Sequence, residues 1–247
     1  MKTFKRIALG FLVVVIVVGI GFVAWAETPL GPAPEALAAL QSDAAVTVTT
    51  GDYITFTPAA VKPTIGFIFY PGGRVDARSY AAPLHAIAAQ GYLVVLVPVR
   101  LNMAFFDINA AEPVLSAYPD ITDWVVGGHS LGGVAASLFA GKHPEIKGLV
   151  FWASYPADDS IKDSNLHVLS IYGTNDMAGA DKFDETSVLN PANAQYVVID
   201  GGNHAQFGDY GPQPGDKEAT ITRAEQQAQV VNAVVAFLSS FVKLQPV

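Results

Sequence analysis

The sequence predicts an α/β fold, a mostly parallel central sheet with helices on both faces, preceded by an N-terminal transmembrane helix. Three observations predict it. From Ile65 onward, apolar strand patterns alternate with amphipathic helical patterns, which implies a parallel sheet built by right-handed crossovers. The run Tyr92–Val99 is apolar almost throughout, as suits a strand covered on both faces. Residues 7–26 form an uncharged apolar run of about the length needed to cross a hydrocarbon core.

The N-terminal run follows Lys2, Lys5 and Arg6, so the positive-inside bias keeps the N-terminus cytoplasmic and sends the rest of the chain across. It is longer than the ~7–15 apolar residues of a cleavable signal, and a retained anchor over residues 1–26 is expected. The alternative is secretion after cleavage near Ala26, because Ala24-Trp25-Ala26 has the small-x-small form of a peptidase site. Residues 27–44 read as a proline-interrupted linker and a short helix, Glu35–Gln41, and residues 45–247 as the folded domain.

Within that domain, Ala45–Thr49 and Asp52–Thr57 suggest an antiparallel hairpin at the sheet edge. Ile65–Tyr70 is a buried strand, and a helical face marked by Tyr80, Leu84, Ile87 and Ala88 follows it. After Tyr92–Val99 come a helix around Ala110–Tyr118, a strand at Trp124–Gly127 and a helix marked by Leu131, Val134, Ala135 and Leu138. Gly148–Ala153, Val168–Gly173 and Ala194–Asp200 complete the strands. The last helix starts at Thr222 with Glu225 in capping-box spacing and turns Val231, Val234, Val235, Leu238 and Phe241 inward.

Composition narrows the chemistry. With 247 residues, 51% of them hydrophobic, the chain can bury one large core. It has no cysteine, which excludes disulfides and thiolate-ligated metals, and no histidine–carboxylate cluster has metal-ligand spacing, so neither metal nor cofactor is expected. Setting aside the three basic residues of the tail leaves 11 basic residues against 22 acidic, which makes nucleic acid an unsuitable partner.

The chemistry-bearing residues follow the strands, where open parallel sheets build their sites. Gly128-His129-Ser130-Leu131-Gly132 is a G-x-S-x-G turn between strand and helix, with small residues where larger ones would collide. Asp176 follows one later strand and His204 another, giving the order serine, aspartate, histidine. Ser130 is the candidate nucleophile, His204 its base, and Asp176 the group that orients the imidazole. Asp181, Asp158 and Asp159 are alternative acids. The N–H groups of Leu131 and of Gly73 or Arg74 are candidates for an oxyanion hole. His85, His129, His143 and His167 lie in helices, in the turn itself or at a strand start.

At these residues the chain resembles the alpha/beta-hydrolase superfamily, and more closely its small cap-less branch related to dienelactone hydrolases. Tyr70-Pro71-Gly72-Gly73, Gly128–Gly133, Gly173-Thr174-Asn175-Asp176 and Gly202-Asn203-His204 carry the resemblance, which covers residues 45–243. It implies a serine hydrolase, with Pro71 standing where many esterases have histidine. Many relatives insert a lid after the sixth strand. Here only Ser154–Asn165 separates two strands, which implies no cap domain and an open site.

The expected reaction is cleavage of carboxylic esters of small or medium acids through an acyl-enzyme. Acyl transfer, or thioester or lactone hydrolysis, is the rival within enzymes; a non-catalytic surface binding module is the rival outside them. Arg74 and Arg100 are candidate cations at the rim, with pairing to a nearby Asp such as Asp76 as the alternative. Phe105, Phe106, Trp152, Tyr155, Phe207 and Tyr210 are candidates for an apolar wall. Ala205–Glu218 is long enough to fold over the site. Nothing in the sequence fixes an oligomeric state.

Overall fold

A computed structural model describes residues 2–241. It contains strands β1 (Val46–Thr50), β2 (Ile54–Pro58), β3 (Ile65–Tyr70), β4 (Leu93–Leu96), β5 (Asp123–His129), β6 (Ile146–Trp152), β7 (His167–Gly173) and β8 (Gln195–Ile199). The helices are α1 (Lys2–Ala26), α2 (Pro34–Ala38), α3 (Ala81–Ala88), α4 (Glu112–Ala117), α5 (Leu131–Ala140), α6 (Ala180–Ser187) and α7 (Arg223–Ser239). The eight strands form one sheet in the order β1-β2-β4-β3-β5-β6-β7-β8, parallel except where β2 pairs with β1 and β4. Residues 242–247, the end of the expected domain, lie outside the described residues.

Period-two alternation divides the core between the two faces of the sheet. Phe67 and Phe69 of β3, with Val94 and Leu96 of β4, face α3 and α7. Ile68 and Tyr70, with Leu93 and Val95, belong to the opposite cluster, which also holds Ala135 and Phe139 of α5. The chain crosses in one direction from β3 to β4 and then returns past β3 to β5. The reversal opens a crevice at the carboxyl ends of β3 and β5, where ligands bind in such sheets.

Several elements differ from the sequence reading. β4 stops at Leu96 rather than Val99; Val97 still donates to Phe69, but Pro98 has no N–H with which to extend the ladder. Helix α6 is an addition, because Ala180–Ser187 is polar apart from Phe183, which stacks on Tyr172 at 4.2 Å. In α7 the capping box at Thr222 and Glu225 forms. The inward face, however, is Val230, Val234, Phe237 and Leu238, with Val231, Val235 and Phe241 only partly buried. Gln226 explains the rotation. It is wholly buried, accepts from the Asn203 N–H at 2.9 Å and donates to the Asn203 carbonyl at 2.8 Å.

The proline-rich segment after α1 is bound to the domain. Leu30 donates to the Arg74 carbonyl and accepts from the Asp76 N–H, and the Ala33 N–H donates to the Asp209 carbonyl. Ala26 is fully buried and its carbonyl accepts from the Asn102 side chain at 3.0 Å. Within α1, Phe4–Ala26 is long and apolar enough to cross a membrane, with a mean hydropathy of 3.0.

Gln226→Leu keeps the volume but strands a buried N–H and a buried C=O at Asn203. It is expected to lower stability by about 2 kcal/mol, read as a shifted denaturant midpoint of the full-length protein in detergent.

Candidate active site

Ser130 sits between β5 and α5 with φ 52° and ψ −122°, a strained conformation for a residue with a side chain. Glycine makes the turn feasible by close approach: a Cβ on Gly132 would run into the carbonyls of Tyr70 and Pro71, and one on Gly128 into the backbone of Gly132 and Gly133. The Ser130 carbonyl accepts from the Ser154 hydroxyl at 2.6 Å, and the Ser130 N–H donates to Trp152 at 2.9 Å. These bonds hold the turn, and no hydrogen bond engages the Ser130 hydroxyl among the described residues.

The loops after β7 and β8 are joined to each other. The Thr174 N–H donates to Ile199 and the Asn175 N–H to Gly202, and a Cβ on Gly173 would meet the Gly202 backbone. This contact brings Asp176 to His204, with Oδ2 2.9 Å from Nδ1. Both residues are buried, and the other Asp176 oxygen accepts from the Ala178 N–H. Asp216 accepts from the N–H groups of His204 and Ala205, which fixes the backbone under the imidazole. Nε2 of His204 is buried and has no partner among the described residues. His204 and Ser130 line a common cleft of about 240 Å³, bordered also by Leu131, Ala153, Tyr155 and Met177.

The other candidate acids lie elsewhere: Asp181 is exposed on α6, and Asp158 and Asp159 are exposed beyond β6. His85 lies beside Asp43, His143 beside Glu145, and His167 against Phe241. Of the three N–H groups considered for an oxyanion, that of Arg74 donates to the Asn102 carbonyl at 2.7 Å and is therefore engaged. Those of Leu131 and Gly73 have no acceptor among the described residues, and a Cβ on Gly73 would lie 3.1 Å from the Leu131 side chain.

The expected rim residues separate into distinct places. Tyr155 borders the cleft. Phe207 is fully buried and stacks on His129 at 5.7 Å, and Trp152 and Tyr210 are buried as well, so these rings are core. Phe105 and Phe106 are about half exposed, and Phe106 meets Phe22 of α1 edge to face. Arg100 reaches Asp107 at 3.2 Å, and Asp76 takes Arg78 as its partner. Arg74 turns to the end of α1 instead: its guanidinium donates to the carbonyls of Trp25 and Thr28 and lies 4.1 Å from the centre of the Trp25 ring.

Sequence reasoning missed Tyr80 and His129 as a pair. The Gly72 N–H donates to the Tyr80 oxygen at 3.0 Å, and the same hydroxyl is hydrogen-bonded to Nδ1 of His129 at 2.8 Å. The loop after β3 is thereby tied to the residue before Ser130. Burial and the neighbouring His204 hold His129 well below the ordinary imidazole range, so it stays neutral and can accept that bond. The Gly-His-Ser spelling of the turn is the sequence signal for this partner, but Tyr80 has none.

A histidine held neutral in the fold but free to protonate when unfolded costs stability as pH falls below its unfolded value of 6.5. As pH falls below 6.5, wild type is expected to lose stability through His129, and His129→Gln to lose correspondingly less. Denaturant titrations at several pH values measure the two slopes.

Among curated proteins, no sequence matches this chain. Among solved structures, the esterase domain of a Rhodothermus marinus protein superposes with a TM-score of 0.61 at 16% identity, covering 78% of this chain and 97% of that one. Est1E from Butyrivibrio proteoclasticus gives a TM-score of 0.56 at 15% identity, covering 80% and 98%. At such identities the likeness establishes the fold. The family model of the alpha/beta hydrolase family matches residues 66–228, and the chain belongs to that family.

Proposed function

We propose that the protein is a serine hydrolase that cleaves carboxylic esters, with Ser130 as nucleophile, His204 as base and Asp176 as its orienting acid. One observation carries the reading. A buried imidazole is fixed through Nδ1 by Asp176 with its Nε2 unpaired, and His204 lines the cleft that also holds the strained Ser130 turn.

In the first half-reaction, Nε2 takes the Ser130 proton as Oγ bonds to the substrate carbonyl carbon. The N–H groups of Leu131 and Gly73 stabilise the oxygen that becomes negative. Nε2 then protonates the departing alkoxide as the ester C–O bond breaks. A water attacks the acyl-enzyme by the same route in reverse roles, releasing the acid and free Ser130. The absence of a lid between β6 and β7 suits small or medium acids, which need no cap to enclose them. The description of the Rhodothermus marinus neighbour as an esterase domain supports an ester substrate.

In this reading α1 is a retained membrane anchor, and Lys5 and Arg6 hold the N-terminus on the cytoplasmic side so that the hydrolase domain stands outside. The burial of Ala26 and the grip of Arg74 on Trp25 and Thr28 support retention, since cleavage after Ala26 would remove part of a folded contact.

A fluorophosphonate probe is expected to label full-length protein at Ser130; folded protein that stays unlabelled would refute the proposal. Ser130→Ala should reduce ester turnover by about 10⁶-fold and Asp176→Asn by about 10⁴-fold, measured as kcat with the fold monitored by circular dichroism.

A further inference from the structure

A second chamber, of about 400 Å³, adjoins the serine cleft and shares Leu131 with it. Trp25, Leu30, Met103, Leu131 and Pro214 give it apolar walls, and Gly73, Arg74 and Gln213 complete the lining. The two N–H groups assigned to the oxyanion, those of Leu131 and Gly73, belong to residues that border this chamber, while His204 and Met177 line the serine cleft, Met177 touching the chamber only through its 3.5 Å contact with Gln213.

That asymmetry assigns the two arms of an ester. The departing oxygen must receive its proton from Nε2 of His204, so the alcohol arm has to lie on the His204 and Met177 side. The carbonyl oxygen points to the Leu131 and Gly73 N–H groups. The remaining substituent, the acyl chain, then runs past Leu131 into the second chamber.

The chamber ends at the membrane helix. Trp25 is the penultimate residue of α1, whose apolar stretch is Phe4–Ala26, and tryptophan at the end of such a stretch marks the level of the membrane interface. The half-exposed Phe106 meets Phe22 of α1 edge to face, which adds an apolar ring near the same end of the helix. An acyl chain leaving the chamber past Trp25 would meet the lipid phase instead of water, so the chamber sets no upper limit on chain length.

We infer that the substrate is a long-chain acyl ester resident in the membrane, its chain threaded between Trp25, Leu30 and Met103 and its smaller alcohol held beside His204. This rests on the reading of a membrane-anchored serine hydrolase and extends the acids it takes from the small and medium ones an uncapped cleft suits to long ones, whose chains the second chamber would hold. Acylation forms the Ser130 Oγ–carbonyl bond, breaks the ester bond to the alcohol and passes the serine proton through His204 to the alcohol. Water then releases the fatty acid, which leaves by the same path into the lipid.

The test uses full-length protein in phosphatidylcholine nanodiscs, with p-nitrophenyl acetate and p-nitrophenyl decanoate as probes and active sites counted by fluorophosphonate titration. Wild type should favour the decanoate in kcat/KM. Trp25→Ala, which removes a wall, and Met103→Trp, which fills the chamber, should each lower the decanoate-to-acetate ratio by about tenfold. A ratio unmoved in both variants, with Ser130 still titratable, would overturn the acyl chamber and leave the hydrolase reading intact. A ratio that responds to Met177→Trp instead of Met103→Trp would overturn the assignment of the two arms. Wild-type protein that cannot be titrated at Ser130 would overturn the hydrolase reading and this inference together.

Discussion

The carboxyl edge of the sheet depends on one close approach, that of the backbone after β3 to the first turn of α5. Gly132 lies against the carbonyls of Tyr70 and Pro71, where no side chain fits. The approach sets Gly73 against the Leu131 side chain and leaves Ser130, in its strained conformation, in a cleft that His204 also lines. Strain of this kind, of order 1–3 kcal/mol, persists only when the surroundings over-determine it. Here Ser154, Trp152 and the Tyr80–His129 pair supply the constraint through short hydrogen bonds to the turn and to the loop facing it.

The surrounding loops repeat the principle of tying backbone to backbone. The β7 and β8 loops hydrogen-bond to each other before either presents its side chain, so Asp176 and His204 meet without long flexible side chains having to search. Gln226 and Asp216 then hold the chain on either side of His204. In this arrangement the helices serve as props, and α7 contributes to the site through one buried amide rather than through its apolar stripe.

Much of this was legible in the sequence because it is local. Buried strands announce themselves by unbroken apolar runs, the serine turn by its glycines, and Asp176 and His204 by standing one loop beyond a strand. What was not legible is whatever depends on partners far apart in the chain. Tyr80 and His129 are 49 residues apart, Arg74 and Trp25 also 49, and neither pair leaves a local pattern. Phe207 reads from the sequence like a rim residue because it follows His204 in a loop. Only the three-dimensional path of that loop turns its ring inward onto His129. The rotation of α7 was hidden for the same reason, since a buried glutamine satisfied by backbone looks polar in any periodic pattern.

The segment after α1 touches residues drawn from most of the chain: Ala26 meets Asn102, Leu30 meets Arg74 and Asp76, and Ala33 meets Asp209. A ribosome delivers these in the opposite sense, with the docking segment first and the last part of its seat almost two hundred residues later. Loop closure over such a span is costly until the intervening sheet exists to shorten it. The first-made part of the domain therefore completes its contacts only once residues as late as Asp209 have been made and brought beside it.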